Sequence, residues 1–225
     1  PGDDFGCSPL YWVFVTNSID GNPISLPINM PFLTYPNATW GARARLYLNE
    51  EVYATTGVFN GDGQVGRDSM HGFDLGLRLN RGLIYLQEFA YAPNTGENAE
   101  GMPGHYKAGG FYHSGKFFHL YEDVNGGSFV VTGLPAKKRI GNYGFYLHAD
   151  QMLYRERGTD QGLTAMTVFT LAPSGWNTFP FFFDCGLIYK GLIPHRDKDV
   201  AAVGLSYGKW SRDLARSQRD DRDFN

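Results

Sequence analysis

The sequence predicts an all-β protein of antiparallel strands, and three observations carry this prediction. From Thr39 onward, apolar and polar residues alternate with a period of two in one stretch after another, as they do in extended chains. Turn-forming residues separate the stretches, so that each can reverse direction and pair with the one before it. Glycine accounts for 29 of the 225 residues and aromatic residues for 16%, whereas no convincing amphipathic helical pattern lies between the stretches.

The first part of the chain is rich in proline. Six of the twelve prolines lie between Pro1 and Pro36, and proline gives no N–H to a sheet ladder. We therefore predict a long loop over residues 16–38, preceded by a short strand at Leu10–Val15. Two alternatives stay open for this loop: it lies outside a closed sheet, or it folds into the interior.

The predicted sheet begins with a hairpin of two strands, Trp40–Leu48 and Val52–Phe59, joined by a short turn. Successive side chains of an extended chain point to opposite faces, so Arg43, Arg45 and Tyr47 share one face of the first strand. Alanine and leucine side chains occupy the other face. One face of this strand is therefore polar and the other apolar.

The next two predicted strands repeat this division. Gly72–Asn80 alternates strictly, with phenylalanine and leucine on one face and Asp74 and Arg78 on the other. Leu83–Ala92 follows a tight turn and places tyrosine and phenylalanine on one face and Glu88 on the other. Charged side chains therefore lie at mid-strand, opposite the aromatic face.

Two longer strands are predicted at His105–Phe118 and Asn142–Tyr154, with an exposed loop over residues 120–141 between them. The second strand groups three polar side chains on one face: Tyr146, His148 and Asp150. We expect the histidine to be solvated rather than to bind a ligand.

Three further strands complete the predicted sheet, at Leu163–Leu171, Phe181–Lys190 and Val200–Trp210. Asp184 lies in the second of them. The charged stretch at 216–224 is predicted to be a loop, with a helical turn as the alternative. The total is about nine strands, and hairpin neighbours predict an antiparallel meander.

The length of the strands favours a transmembrane barrel over a soluble β-sandwich. Strands in sandwiches usually have about 5 to 6 residues, whereas these approach the roughly ten that a tilted membrane strand requires. Short turns also alternate with long loops, as in outer-membrane barrels. A barrel would place the apolar face against lipid and the polar face in a water-filled interior, and a sandwich remains the alternative.

Several classes of function receive no support from the sequence. The formal net charge of -3 argues against a nucleic-acid partner. Cys7 and Cys185 lack the spacing of metal ligands, and the sequence leaves open whether they form a disulfide. We find no nucleophile motif and no carboxylate pair in an apolar setting, so we predict neither an enzyme nor a cofactor or metal site.

Six blocks of the chain carry a more specific signal than alternation. They are Asp3–Tyr11, Tyr35–Tyr47, Thr55–Gly63, Tyr106–Phe117, Leu147–Gly158 and Asp184–Ser211. The strings ADQMLYRE and GLIYKGLIPHRDKD within them are long and unusual. In these blocks and in their order the chain resembles the carbohydrate-selective porins of the OprB type, from Gram-negative outer membranes.

The resemblance implies a sixteen-stranded antiparallel transmembrane barrel in the cell outer membrane, through which small sugars diffuse. Residues 1–225 would then form one partial barrel domain of about nine or ten strands, with the first and last strands of the barrel missing. The implied partners are small sugars and outer-membrane lipids. A monomer and a homo-oligomer are both open alternatives.

In such a barrel the polar face would line the pore. Guanidinium groups can donate to sugar hydroxyls, carboxylates can accept from them, and tyrosine rings can cover the C–H faces of a sugar. The alternative role of each arginine is to hold the shape of the wall and set ion preference. Candidate contacts are Arg43, Arg45, Tyr47, Asp74, Arg78, Glu88, Tyr146, Asp150 and Asp184. A general, non-selective porin and a soluble carbohydrate-binding β module are the alternative functions.

Overall fold

Eight antiparallel strands form one sheet, in which strands that follow one another in the chain lie side by side. The computed structural model describes residues 4–16, 18, 19, 22–30, 38–62, 73, 74, 76, 81–96 and 99–224. The strands of these residues are β1 (Ala38–Thr39), β2 (Gly41–Tyr47), β3 (Val52–Asn60), β4 (Phe73–Asp74), β5 (Leu83–Tyr91), β6 (Gly104–Asp123), β7 (Ala136–Arg155), β8 (Gly162–Leu171), β9 (Phe181–Lys190) and β10 (Val200–Lys209). The order β10-β9-β8-β7-β6-β5-β3-β2 confirms the predicted antiparallel meander.

The strand predicted at Gly72–Asn80 does not lie between β3 and β5 in this sheet. β3 and β5 pair directly, from Val52 opposite Tyr91 to Asn60 opposite Leu83, so no strand lies between them. β4 instead forms a two-residue parallel pair with β1. The prediction of a sheet strand was wrong because alternation reveals an extended chain but not its partner. Most of the predicted stretch lies outside the described residues.

The start of the chain forms short helices rather than the strand predicted at Leu10–Val15. A 3₁₀ helix spans Pro9–Val13. Its proline suits a first helical position, and the hydroxyl of Ser8 accepts a hydrogen bond from the N–H of Leu10 (3.3 Å). A further helix, α1, spans Ser25–Asn29. Proline and the serine cap therefore outweigh the short apolar run that suggested a strand.

The hairpin of β6 and β7 is longer than predicted, with 20 residues in each strand. The loop expected over 120–141 shrinks, because β6 continues to Asp123 and β7 begins at Ala136. A short helix, α2 (Phe129–Thr132), lies at the tip. The carboxylate of Asp123 accepts hydrogen bonds from three groups of this turn and stabilises it: Asn125 N–H, Gly127 N–H and the Thr132 hydroxyl.

The charged stretch at 216–224 belongs to a helix, α3 (Arg212–Phe224), so the predicted loop was wrong and the helical alternative was right, with a helix longer than one turn. The hydroxyl of Ser211 accepts hydrogen bonds from the N–H groups of Asp213 (3.2 Å) and Leu214 (3.3 Å) and so caps its first turn. An acidic residue in the first turn and Arg222 in the last suit the helix dipole. Across the described ranges, no helix combines the length and the apolar character needed to cross a membrane.

One face of the sheet, called the outer face below, exposes apolar side chains. Neighbouring strands align them, with Tyr85 opposite Tyr112 and Tyr112 opposite Tyr143. The most exposed members include Phe89, Phe145, Leu147, Leu171, Val203, Leu205 and Tyr207. A contiguous exposed apolar surface of this kind marks contact with a membrane or another protein.

The opposite face, called the inner face below, is covered by the N-terminal segment, the described residues within 4–30. Two apolar clusters join this segment to the sheet. The first contains Phe5, Leu26, Met30, Ile84, Leu86, Phe111 and Tyr146, and the second contains Cys7, Tyr11, Ile19, Met166 and Ile188. Cys7 and Cys185 are both thiols. The buried core of the protein therefore lies between the N-terminal segment and the inner face.

Candidate functional site

Four of the predicted sugar contacts lie on the inner face but are buried beneath the N-terminal segment. They are Glu88, Tyr146, Asp150 and Asp184, with exposed fractions of 0%, 1%, 3% and 1%. The predicted sharing of one face by Tyr146 and Asp150 is confirmed by the burial pattern of β7. A solute cannot reach these side chains in this structure. Their role must therefore be inferred from the groups of the protein that they contact.

Glu88 binds both the sheet and the N-terminal segment. Its Oε2 accepts hydrogen bonds from Gly6 N–H (2.8 Å) and from the Tyr146 hydroxyl (2.7 Å). The ammonium of Lys107 lies 3.6 Å from Oε1, and the same ammonium donates to the carbonyl of Cys7 (2.7 Å). Because a buried carboxylate needs donors and a countercharge, these contacts fix the start of the segment against β5.

Tyr146 reaches Glu88 because a glycine lies across from it. Gly109 in β6 pairs with Tyr146 in β7. A Cβ atom at Gly109 would lie 2.3 Å from the ring carbon Cζ of Tyr146. The missing side chain of Gly109 therefore provides the space that the tyrosine ring occupies.

Asp150 is the centre of a second polar network. Its Oδ2 accepts hydrogen bonds from the Ser8 hydroxyl (3.0 Å) and bonds His148 Nε2 (2.9 Å), while Oδ1 bonds His105 Nδ1 (2.7 Å). The hydroxyl of Tyr11 bonds the other ring nitrogen of His148. Burial raises the pKa of Tyr11 well above its usual range, so the hydroxyl stays protonated. The expectation of a solvated histidine was therefore wrong: His148 is buried and bonded at both nitrogens.

Asp184 lies on the inner face of β9, where small residues admit the N-terminal segment. A Cβ atom at Gly186 or Gly204 would lie 2.7 or 2.8 Å from the ring of Phe14. The phenylalanine ring thus occupies space that these two glycines leave open. Oδ1 of Asp184 accepts no hydrogen bond from any residue within the described ranges.

Arg43, Arg45 and Tyr47 remain accessible on β2. The register places Arg43 opposite Gly57 and Arg45 opposite Thr55, on the inner face, which confirms the predicted shared face. Arg43 Nε lies 3.1 Å from Asp4 Oδ1. Tyr47 is 63% exposed. These three residues are the part of the predicted site that a solute can approach.

The remaining two predicted contacts, Asp74 and Arg78, do not belong to the described part of the eight-stranded sheet. Asp74 lies in β4, away from the eight-stranded sheet. Arg78 and the side chain of Asp74 lie outside the described residues.

Sequence reasoning missed the partners that the N-terminal segment supplies. Asp4, Ser8 and Tyr11 reach residues far along the chain, for example Ser8 to Asp150. Their spacing carries no repeated pattern, so only the fold brings them to the inner face.

The comparisons with known proteins agree on one family. The sequence model described as "Carbohydrate-selective porin, OprB family" matches residues 1–225. Porin B of Pseudomonas aeruginosa is 24% identical over 219 residues, which cover 97% of this chain and 47% of that protein. The high-pH structure of Pseudomonas putida OprB has a TM-score of 0.85 at 23% identity and covers 99% of this chain and 51% of that one. The chain thus spans about half the length of the relatives it matches.

Proposed function

Because the chain belongs to the OprB family of carbohydrate-selective porins, we propose that it forms part of the wall of an outer-membrane channel for small neutral sugars. One observation carries this proposal: the outer face of the sheet exposes a contiguous apolar surface, although the buried core lies on the opposite face. Exposed aromatic and aliphatic side chains cover the outer face, whereas the inner face combines two apolar clusters under the N-terminal segment with buried carboxylates and imidazoles. An outer face of this kind suits contact with lipid, as in an outer-membrane barrel.

The strand lengths support the same proposal. β8, β9 and β10 each contain 10 residues. Ten residues rise by about 33 Å, and at a tilt of about 40° they cross about 25 Å, the height of the apolar band of an outer-membrane barrel. The outer face would therefore meet lipid over the whole apolar layer.

The N-terminal segment would narrow the channel from inside. Ser25 and Thr170 bond through their hydroxyls (2.6 Å), and Asn29 donates from Nδ2 to the carbonyl of Phe179 (2.7 Å). Asn142 Nδ2 donates to the Asn29 carbonyl (3.0 Å). These contacts favour the inward alternative for the predicted loop 16–38, as far as its residues are described.

The buried and the accessible residues would then have different roles. Glu88, Tyr146 and Asp150 would hold the N-terminal segment to the wall, and Asp184 would lie buried beneath it, so none of the four would touch a solute. Arg43, Arg45 and Tyr47 would be the solute contacts, with Asp4 beside Arg43 as a hydrogen-bond acceptor. A sugar hydroxyl both donates and accepts, so a site with arginine and carboxylate groups matches it.

Solute flux tests the proposed function. The full-length protein that contains this chain is reconstituted in liposomes, and flux of monosaccharides is compared with that of charged amino acids of similar size. We expect preferential sugar flux, and a loss of about twofold to tenfold in this preference when Arg43 and Arg45 are changed to Ala. Arg219→Ala, on the exposed side of α3, is the matched control and should change nothing.

Two other results would contradict the proposal. Equal flux for all solutes would indicate a general porin. No flux at all, together with folding in the absence of detergent, would indicate a soluble carbohydrate-binding module.

A further inference from the structure

The two arginines of β2 have different partners. The guanidinium of Arg43 pairs with the carboxylate of Asp4 on the N-terminal segment (3.1 Å). Arg45 is instead held by a neutral hydroxyl, because its Nε donates to Thr55 Oγ1 (2.9 Å). The charge of Arg43 is therefore paired with a carboxylate of the protein, whereas the neutral hydroxyl of Thr55 does not compensate the charge of Arg45.

Thr55 is a fixed partner for Arg45. Its exposed fraction is 0%, and the register places it directly opposite Arg45 in the β2–β3 hairpin. Arg45 is also the one residue of β2 that is half-buried, while the others are exposed. One edge of the guanidinium is thus held against the sheet by a buried group.

The ring of Tyr53 lies against the same guanidinium. The central carbon of Arg45 lies 4.6 Å from the centroid of the Tyr53 ring, a cation–π distance. Tyr53 is also paired with Tyr47 across the hairpin, with ring centroids 5.6 Å apart. Arg45 therefore lies beside two aromatic rings, one of which, Tyr47, is largely exposed.

We propose that Tyr53 and Thr55 are positioning residues that orient Arg45 to bind two neighbouring hydroxyl groups of a neutral sugar. This inference rests on the proposed function. Thr55 accepts from one of the five guanidinium donors and the Tyr47 hydroxyl is a second hydrogen-bond partner, and the planar arrangement of the remaining donors matches a pair of adjacent oxygens. The ring of Tyr47 would cover the C–H face of the same sugar.

Glu88 adds a nearby negative charge but does not take up the donors of this arginine. It lies opposite Thr55 on the next strand. Its Oε2 accepts from Gly6 and Tyr146, and its Oε1 faces the ammonium of Lys107 without a hydrogen bond to it. Its charge attracts Arg45, and the guanidinium donors that do not contact Thr55 or Tyr47 remain for a solute.

The test uses single-channel currents of the full-length protein in planar lipid bilayers, with glucose as the probe. Glucose should block the wild-type current in a concentration-dependent way. Tyr53→Leu and Thr55→Val should each weaken the apparent affinity for glucose by about threefold to tenfold. Tyr53→Phe keeps the ring and should retain the wild-type affinity.

Two further variants separate positioning from charge and from general structure. Arg45→Lys keeps the positive charge but not the planar fork, so ion selectivity should persist while glucose block weakens. Tyr85→Leu, on the outer face, is the matched control for loss of an aromatic ring and should leave glucose block unchanged. The sugar-free conductance of each variant reports whether the channel has folded.

The outcomes distinguish this inference from the proposed function. If glucose blocks the wild type and Arg45→Ala abolishes the block, but Tyr53→Leu and Thr55→Val leave it unchanged, the positioning role is wrong and the porin function stands. If glucose never blocks the wild type, the proposed sugar site itself is wrong.

Discussion

Replacement of Glu88 by alanine should release the beginning of the N-terminal segment from the sheet. The carboxylate accepts the N–H of Gly6 and the hydroxyl of Tyr146, and it faces the ammonium of Lys107. Its removal leaves two donors and one cation without their acceptor in a buried place. We therefore expect Glu88→Ala to destabilise the docked N-terminal segment more than a substitution at the protein surface would.

The free-energy cost of Glu88→Ala depends on how deeply these groups are buried. Loss of one partner of a buried ion pair typically costs about 3 to 5 kcal/mol. The side chain of Lys107 is 11% exposed, so water can solvate part of the stranded charge, and the lower end of that range applies. A cost of about 3 kcal/mol corresponds to about a hundredfold rise in the open population of the segment.

Hydrogen exchange measured by mass spectrometry reports this opening. In the full-length protein in detergent, peptides that cover residues 4–14 should exchange about a hundred times faster in Glu88→Ala than in the wild type. Peptides from β8 and β9 should keep their protection. Glu50→Ala, at the exposed β2–β3 turn, removes a similar carboxylate and should change neither region.

Unchanged exchange of residues 4–14 in a folded Glu88→Ala protein would mean that the apolar clusters alone hold the segment. The hydrogen bonds to Glu88 would then be a consequence of docking and not one of its causes.

Further predictions concern the packing of the sheet and its outer face. Gly109→Ala places a carbon 2.3 Å from the Tyr146 ring, so we expect a loss of about 1 to 3 kcal/mol in urea unfolding. Gly96→Ala, where no atom lies within 4 Å, is its control, and equal stability of the two variants would contradict the packing argument. Leu147→Lys should reduce the free energy of folding into lipid vesicles by about 2 to 4 kcal/mol. Leu134→Lys, near the hairpin tip, should have a smaller effect, and equal effects would mean that Leu147 does not face lipid.

Most of the strand assignment could be predicted because alternation is a local property. The bounds of β8, β9 and β10 agree closely with the predicted strands. The shared face of Arg43, Arg45 and Tyr47 also follows from neighbouring residues alone. α3 was predicted only as an alternative helical turn because its sequence has few apolar residues, and its cap and tertiary packing decide that it is helical.

The sequence by itself determined the antiparallel strands, their two faces and the family, since each depends on residues close together in the chain or on long, distinctive strings. Only the tertiary structure decided which segment covers the inner face and which side chains of the outer face stay exposed. Glu88 and Gly6 are 82 positions apart, and Asp150 and Ser8 are 142 apart. No local pattern encodes such contacts. They arise because the N-terminal segment buries its apolar side chains on the inner face, and in doing so it separates the buried carboxylates from the accessible arginines.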